Sequence, residues 1–420
     1  MFIIWIIFLL FLTWSTIQYD KAVLASFPFT LLFTTIPLFR FGGVEISLNM
    51  AIYLYLCILF IIKKPINNVR NPYYKPIVVI SIGFVIVGLL GAYHSSLYIV
   101  FTNCFNYLIL LIIWPFLRDK KDIDYIVKCL LIACFIITSY SIVEFLLQKN
   151  IWLDFIKDSW RTKADNAIYV DHLDDIRFGY GRCCSFFHFP IPFGDVCAIF
   201  FTFLLFWNTY SSRKLSKLVF ISIMTLLFLG VLLSNSRAPM VMLMLGCLVM
   251  VDFKFIMKNK AMLILILFFL FFGVYNYFNE VIKSITDSSS ENVSGSSLDM
   301  RLIQFAYCYQ EFITNPWFGG GFNRMEELQN PENRELMGGE SLLFVLMINQ
   351  GLCGIITYVY ACWHSIKAFP IKCRRFPLLL ITCWVLGAVM SLTTGVYLTY
   401  PMLLLLITYR SYQLGLLKYN

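Results

Sequence analysis

The chain has 420 residues, of which 60% are apolar and 14% charged, with a mean hydropathy of +0.76, against roughly 45–50% apolar and 25% charged in soluble domains. These values exclude an ordinary soluble enzyme and point to a polytopic membrane protein. The net charge of +9 collects in short loops between apolar runs, so it reads as a membrane-orientation bias and not as a nucleic-acid surface.

Apolar runs near the ~20 residues that cross a ~30 Å hydrocarbon core lie at 2–17, 22–39, 44–62, 77–93, 97–117, 124–147, 188–207, 218–234, 237–251, 261–279, 340–363, 376–393 and 395–409. They predict an all-α bundle of about 12–13 transmembrane helices, with residues 1–420 forming a single integral membrane domain. Residues 1–17 carry neither a basic n-region nor a small-residue cleavage site, and read as an uncleaved helix. Lys63, Arg70, Arg118, Lys121, Arg213, Lys217, Lys254 and Arg374 sit in short loops that alternate onto one face. Basic residues are retained on the cytoplasmic side, which places the two long loops, 148–187 and 280–339, outside, in the periplasm.

In the first outer loop, Ile151 to Trp160 is predicted as a surface helix, followed by an acidic patch at Asp165, Asp171, Asp174 and Asp175. The second opens on a Ser-rich stretch, 286–297, of linker composition. A helix is predicted from Asp299 to Phe312, where Leu302, Phe305, Ala306, Tyr309 and Phe312 recur at helical spacing, and Asn315-Pro316 ends it. The 13 cysteines form no Cys-x-x-Cys pair and there is no His-Glu-x-x-His. They read as small apolar fillers, with no metal site.

Four arginines lie near predicted helix ends on the outer side: Arg177, Arg182, Arg237 and Arg301. Arg237 is the most informative, because Ser234-Asn235-Ser236-Arg237-Ala238-Pro239 joins two apolar runs with almost no loop. A guanidinium there either snorkels to the interface or meets an anion. Its fork fits phosphate oxygens bidentately and keeps its proton, so two or three such groups around one cavity can hold a diphosphate without a metal. Glu340, between Gly338-Gly339 and an apolar run, suits a general base acting on a sugar hydroxyl, or a carboxylate favoured by a helix N-terminus. Gly319-Gly320-Gly321 lacks the Gly-Lys-Ser/Thr of a phosphate-binding loop. It reads as a tight turn. His188 and His172 fit acid–base groups or polar loop residues. Trp317, like Trp152 and Trp160, fits a sugar-stacking platform or an interfacial anchor. Glu144 is a rare charge inside an apolar run.

Together these residues resemble the O-antigen polymerase (Wzy-type) and O-antigen ligase superfamily of bacterial membrane glycosyltransferases. The resemblance rests on Arg182-x-x-Ser-Phe-x-x-Phe-Pro entering a membrane helix, and on Ser236-Arg237-Ala238-Pro239 opening another. It continues through Arg301, Asn315-Pro316-Trp317-Phe318-Gly319-x-Gly321, Glu340-Ser341 and Gly351-x-x-Gly354. It implies a bundle of about twelve membrane helices with a large outer loop before the last few, as spans of ~20 residues allow. It also implies undecaprenyl-diphosphate-linked oligosaccharides as substrates, no cofactor or metal, and a place in the bacterial inner membrane with a chain-length regulator and a flippase as partners. Arg237 and Arg301 match the family arginines thought to hold the diphosphate, with Arg182 beside them and Arg177, His188 and Trp317 as weaker substrate contacts. Ligases carry a histidine where Glu340 stands, a departure that favours a polymerase over transfer to a terminal acceptor. A ligase is the near alternative. A transporter of lipid-linked sugars is the distant one, for no two-fold pattern of broken helices is visible.

Overall fold

The computed structural model describes residues 2–32, 37–41, 44–63, 70–93, 97–159, 181–187, 189–250, 298–328, 341–391 and 398–417. Each apolar run predicted within them folds as helix over most of its length; the run at 261–279, the Ser-rich stretch and the acidic patch lie outside them. In chain order the helices are α1 (Phe2–Ile17), α2 (Tyr19–Leu31), α3 (Leu48–Lys63), α4 (Tyr74–Leu90), α5 (Leu97–Ile113), α6 (Lys120–Leu147), α7 (Ile151–Ser159), α8 (Pro190–Tyr210), α9 (Lys217–Leu233) and α10 (Arg237–Met250). They continue with α11 (Leu298–Thr314), α12 (Arg324–Leu328), α13 (Leu342–Val345), α14 (Gly351–Lys367), α15 (Arg375–Ser391) and α16 (Thr399–Gln413). Four stretches, Ile99–Phe116, Lys120–Leu147, Pro190–Tyr210 and Leu342–Lys367, are long and apolar enough to cross a membrane. The fold is an all-α bundle, as the composition predicts.

One correction concerns the second and third predicted spans. Runs 22–39 and 44–62 are not helical where they approach one another: β1 (Pro37–Phe41) and β2 (Val44–Ser47) pair antiparallel, with Phe41 opposite Val44 and Pro37 opposite Ser47. Pro37 cannot continue a helix, and the adjacent Gly42-Gly43 suits a hairpin.

Local chemistry sets the helix ends. Asp119 caps α6 by accepting from Lys121 N at 2.7 Å and Asp122 N at 3.0 Å, while the Asp122 carboxylate accepts from Asp119 N at 3.0 Å. This reciprocal box satisfies orphan donors of the first turn. Pro190 opens α8 at a position whose N–H has no helical partner to lose. Two of the predicted basic loops, 118–123 and 208–217, lie at one end of the bundle with the end of the last helix. Arg410 Nε donates to Leu117 O at 2.6 Å and its Nη2 to Arg118 O at 3.0 Å, Arg118 pairs with Asp20 at 3.4 Å, and Arg213 pairs with Asp124. Ser212 N, in the next basic loop, donates to Leu416 O at 2.8 Å.

At the opposite end the membrane-grade stretch Leu342–Lys367 is broken. In an unbroken α-helix Leu352 N and Cys353 N would donate to Ile348 O and Asn349 O. Here residues Leu346–Gln350 form a single π-type turn, and those two donors turn to Pro316 O at 2.8 Å and Trp317 O at 3.0 Å. The freed carbonyls of Ile348 and Asn349 accept from Gly320 N at 2.7 Å and Gly321 N at 3.0 Å. A third strand of chain joins, since Ala92 N and Tyr93 N donate to Gly319 O at 3.1 Å and Gly320 O at 2.9 Å. The glycine triplet is therefore more than the expected turn: it is part of a three-way backbone clamp that re-satisfies the two donors and two carbonyls named above, as low-dielectric surroundings demand.

Candidate active site

The site is built where α6, α8 and the α9–α10 turn meet. The segment 181–187 crosses this junction and is fastened on both sides. Cys183 N donates to Leu233 O at 3.0 Å. Arg182, only 5% exposed, sends Nη2 to Ser236 Oγ at 2.8 Å and Nε to Ser234 O at 3.5 Å. Ser236 in turn donates its hydroxyl to Ser234 O at 2.9 Å. Asn235, at φ 48°, takes the left-handed conformation that asparagine tolerates better than most side chains, and this lets α9 end and α10 begin within three residues. Arg237, the first residue of α10, follows Ser236 directly. Gly194 of α8 admits this turn: a Cβ there would lie 2.5 Å from Ser234 Oγ and 2.6 Å from Pro239 Cγ. Arg182 thus bonds a turn that opens on an arginine 55 positions further along the chain.

Arg301 belongs to a second unit. Arg301, Gln304 and Cys308 fall on one face of α11, and Cys308 packs with Phe344 and Ile348 of the broken helix. The ring of Phe305 lies 6.4 Å from that of Phe344. This seats α11 against the element that begins at buried Ser341, the residue after Glu340. The units are joined by α15, which packs against both α10 and α13. Arg182 therefore bonds the residue next to Arg237, while Arg301 stands on α11, which reaches that turn through the broken helix and α15. Glu340, Arg177 and His188 lie outside the described residues. Trp317 is held through its backbone while its ring stays 66% exposed. Trp152, by contrast, is occupied, packing edge-on against Phe186 at 5.3 Å.

Two residues of this region escaped the sequence reading. Asp195, in the second turn of α8, is 3% exposed and its Oδ1 has no hydrogen-bond partner among the described residues. A lone carboxylate inside an apolar run was the available signal. Gln304, one turn beyond Arg301, is 0% exposed, and both its amide atoms lack hydrogen-bond partners among the described residues. Glutamine at a helical position carries no such signal, because its burial depends on what α11 packs against. An unpaired buried amide costs about 1–3 kcal/mol. Gln304→Met should therefore raise the thermal midpoint of the purified protein; a fall would show that the amide is bonded.

Residues 222–359 match the family model described as O-antigen ligase. Over that segment the chain is similar to the O-antigen polymerase and ligase superfamily. The match spans a third of the chain and includes Arg237, Arg301, Trp317, the glycine clamp, Glu340 and the first half of α14, whereas Arg182 lies outside it. No curated protein matches the chain significantly. Together with the apolar helices, the family match supports a membrane-embedded protein with a glycan-transfer function in polysaccharide biosynthesis. Arg182, from outside the matched segment, bonds the turn that bears Arg237.

Proposed function

We propose that the protein is a polysaccharide polymerase of the bacterial inner membrane, acting on the periplasmic side together with a flippase and a chain-length regulator. It transfers a growing glycan from undecaprenyl diphosphate to a hydroxyl of another lipid-linked repeat unit. The observation that carries this reading is the turn where buried Arg182 bonds Ser236 beside Arg237. Two permanent cations at one desolvated turn suit a ligand with several negative oxygens, and a diphosphate leaving group is such a ligand. In the reaction, the acceptor oxygen attacks the anomeric carbon as the bond to the diphosphate oxygen breaks, a single displacement that inverts the anomeric configuration. Glu340 takes the hydroxyl proton. Arg182, Arg237 and Arg301 neutralise the charge that builds on the leaving diphosphate, the part of the barrier where fixed charges contribute most.

Loss of the protein should leave cells with single carrier-linked repeat units. Accumulation of long carrier-linked chains would instead make it a ligase. Glu340→Gln should slow transfer by roughly 10²–10⁴-fold, the usual contribution of a general base, with carrier binding intact. Unchanged turnover in reconstituted membranes would reduce Glu340 to a helix-end carboxylate.

A further inference from the structure

Glu144 holds a position that the proposed chemistry does not use. It lies near the end of α6, is 1% exposed, and gathers three N–H donors. Oε1 accepts from Cys184 N at 3.1 Å and Asn150 Nδ2 at 2.9 Å, and Oε2 accepts from Ser185 N at 2.7 Å. Asn150 Nδ2 also donates to Ser185 O at 3.0 Å, and Ser185 Oγ donates to Ile137 O at 2.7 Å. Ser185 thus has its N–H, carbonyl and hydroxyl all bound. It also sits at φ 53°, a left-handed conformation that a non-glycine residue keeps only where its surroundings over-determine it. On the other side of this clamp, Cys183 N is tied to Leu233 O and the Arg182 guanidinium to Ser236 Oγ. Only one residue, Cys183, separates Arg182 from the first backbone amide that Glu144 holds.

We propose that Glu144 is the positioning residue for Arg182 in diphosphate binding, and that it acts through the clamped 183–185 backbone and Ser236 on the turn that bears Arg237. The inference rests on the diphosphate reading above. The chemistry of the site demands an acceptor-only group, since three N–H groups and the Cys184 thiol, whose Sγ lies 3.6 Å from Oε1, all donate to it, and a carboxylate is the one side chain of this length that offers only acceptors. Glutamine fills the same volume but turns an NH₂ toward a backbone N–H. That opposition frees one side of Ser185, and the left-handed residue relaxes. A guanidinium displaced by about 1 Å meets the diphosphate oxygens off-geometry, a misplacement that can cost on the order of 100-fold.

The test uses the full-length protein in nanodiscs, with farnesyl diphosphate as the binding probe and glycan transfer as the second readout. Glu144→Gln should weaken probe binding by roughly tenfold or more and raise KM for the lipid-linked donor more than it lowers kcat. Arg182→Ala should weaken binding likewise, and the double variant should bind no more weakly than Arg182→Ala alone, because one residue acts through the other. Asn150→Ala, which leaves the carboxylate in place and removes one donor, should weaken binding in the same direction by less. It replaces Glu144→Gln in the same cycle if that variant does not reach the membrane. Wild-type binding by Glu144→Gln, or losses that multiply in the double variant, would overturn the proposal while weakened binding by Arg182→Ala kept the diphosphate reading. Wild-type binding by both Arg182→Ala and Arg237→Ala would overturn the diphosphate reading, and the role of Glu144 with it.

Discussion

Arg237→Ala should abolish long-chain polysaccharide while the protein still accumulates in the membrane. The residue opens α10 at the turn where Arg182 bonds Ser236, so its removal takes a permanent positive charge from the site. Loss of one fixed group that stabilises developing charge typically costs about 10²–10³ in rate, enough to end processive elongation in cells. Arg237→Lys keeps the charge and loses the planar fork, and should retain a small part of the activity. Arg301→Ala should have the same phenotype, since it removes the cation contributed by α11. Polysaccharide length on gels, set against protein level by immunoblot, checks all three. Full-length chains from both alanine variants would remove the arginines from the reaction.

The second large effect is on folding. Gly319 has φ 66° and Gly351 φ 61°, and the two glycines face each other across the clamp. A Cβ on Gly319 would lie 2.6 Å from Asn349 C and Gln350 N, and one on Gly351 would lie 2.7 Å from Gly319 N and Pro316 O. The atoms met are backbone, which cannot rotate aside as a side-chain tip would. Gly319→Ala or Gly351→Ala must therefore pull the chains apart and break several of the bonds that seal the helix break. We expect a loss above about 4 kcal/mol, in the range reserved for named structural failures, with little protein recovered. Gly415 supplies the control. Its φ is 66° as well, yet nothing lies within 4 Å of its would-be Cβ. Gly415→Ala should cost only the left-handed penalty of about 1–2 kcal/mol. Thermal midpoints in detergent separate the two terms, and equal midpoints would mean that close packing contributes nothing.

Much of the architecture was legible because a bilayer imposes few solutions. An apolar run of the right length must become a helix, and basic loops must gather on one face. Asn315-Pro316 ends α11 close to where residue chemistry places the stop. The hairpin at 37–47 was hidden inside two apolar runs, since periodicity does not separate a short strand from a helix segment. Of the site, the arginines were legible as expensive charges near helix ends. Their arrangement was not. Arg182 meets Ser236 across 54 positions, and Glu144 meets Ser185 across 41.

By itself, then, the amino-acid order determined the helical class, the grouping of the basic loops and the residue types able to bind a diphosphate, because each follows from local composition against a fixed hydrocarbon thickness. Only the tertiary structure decided that Arg182 bonds the turn that opens on Arg237, that Glu144 pins the segment leading to it, and that three glycines brace a broken helix. Those facts depend on which backbone amides and carbonyls are left without local partners when the chain turns, and such groups are satisfied by segments that meet only once the bundle has packed.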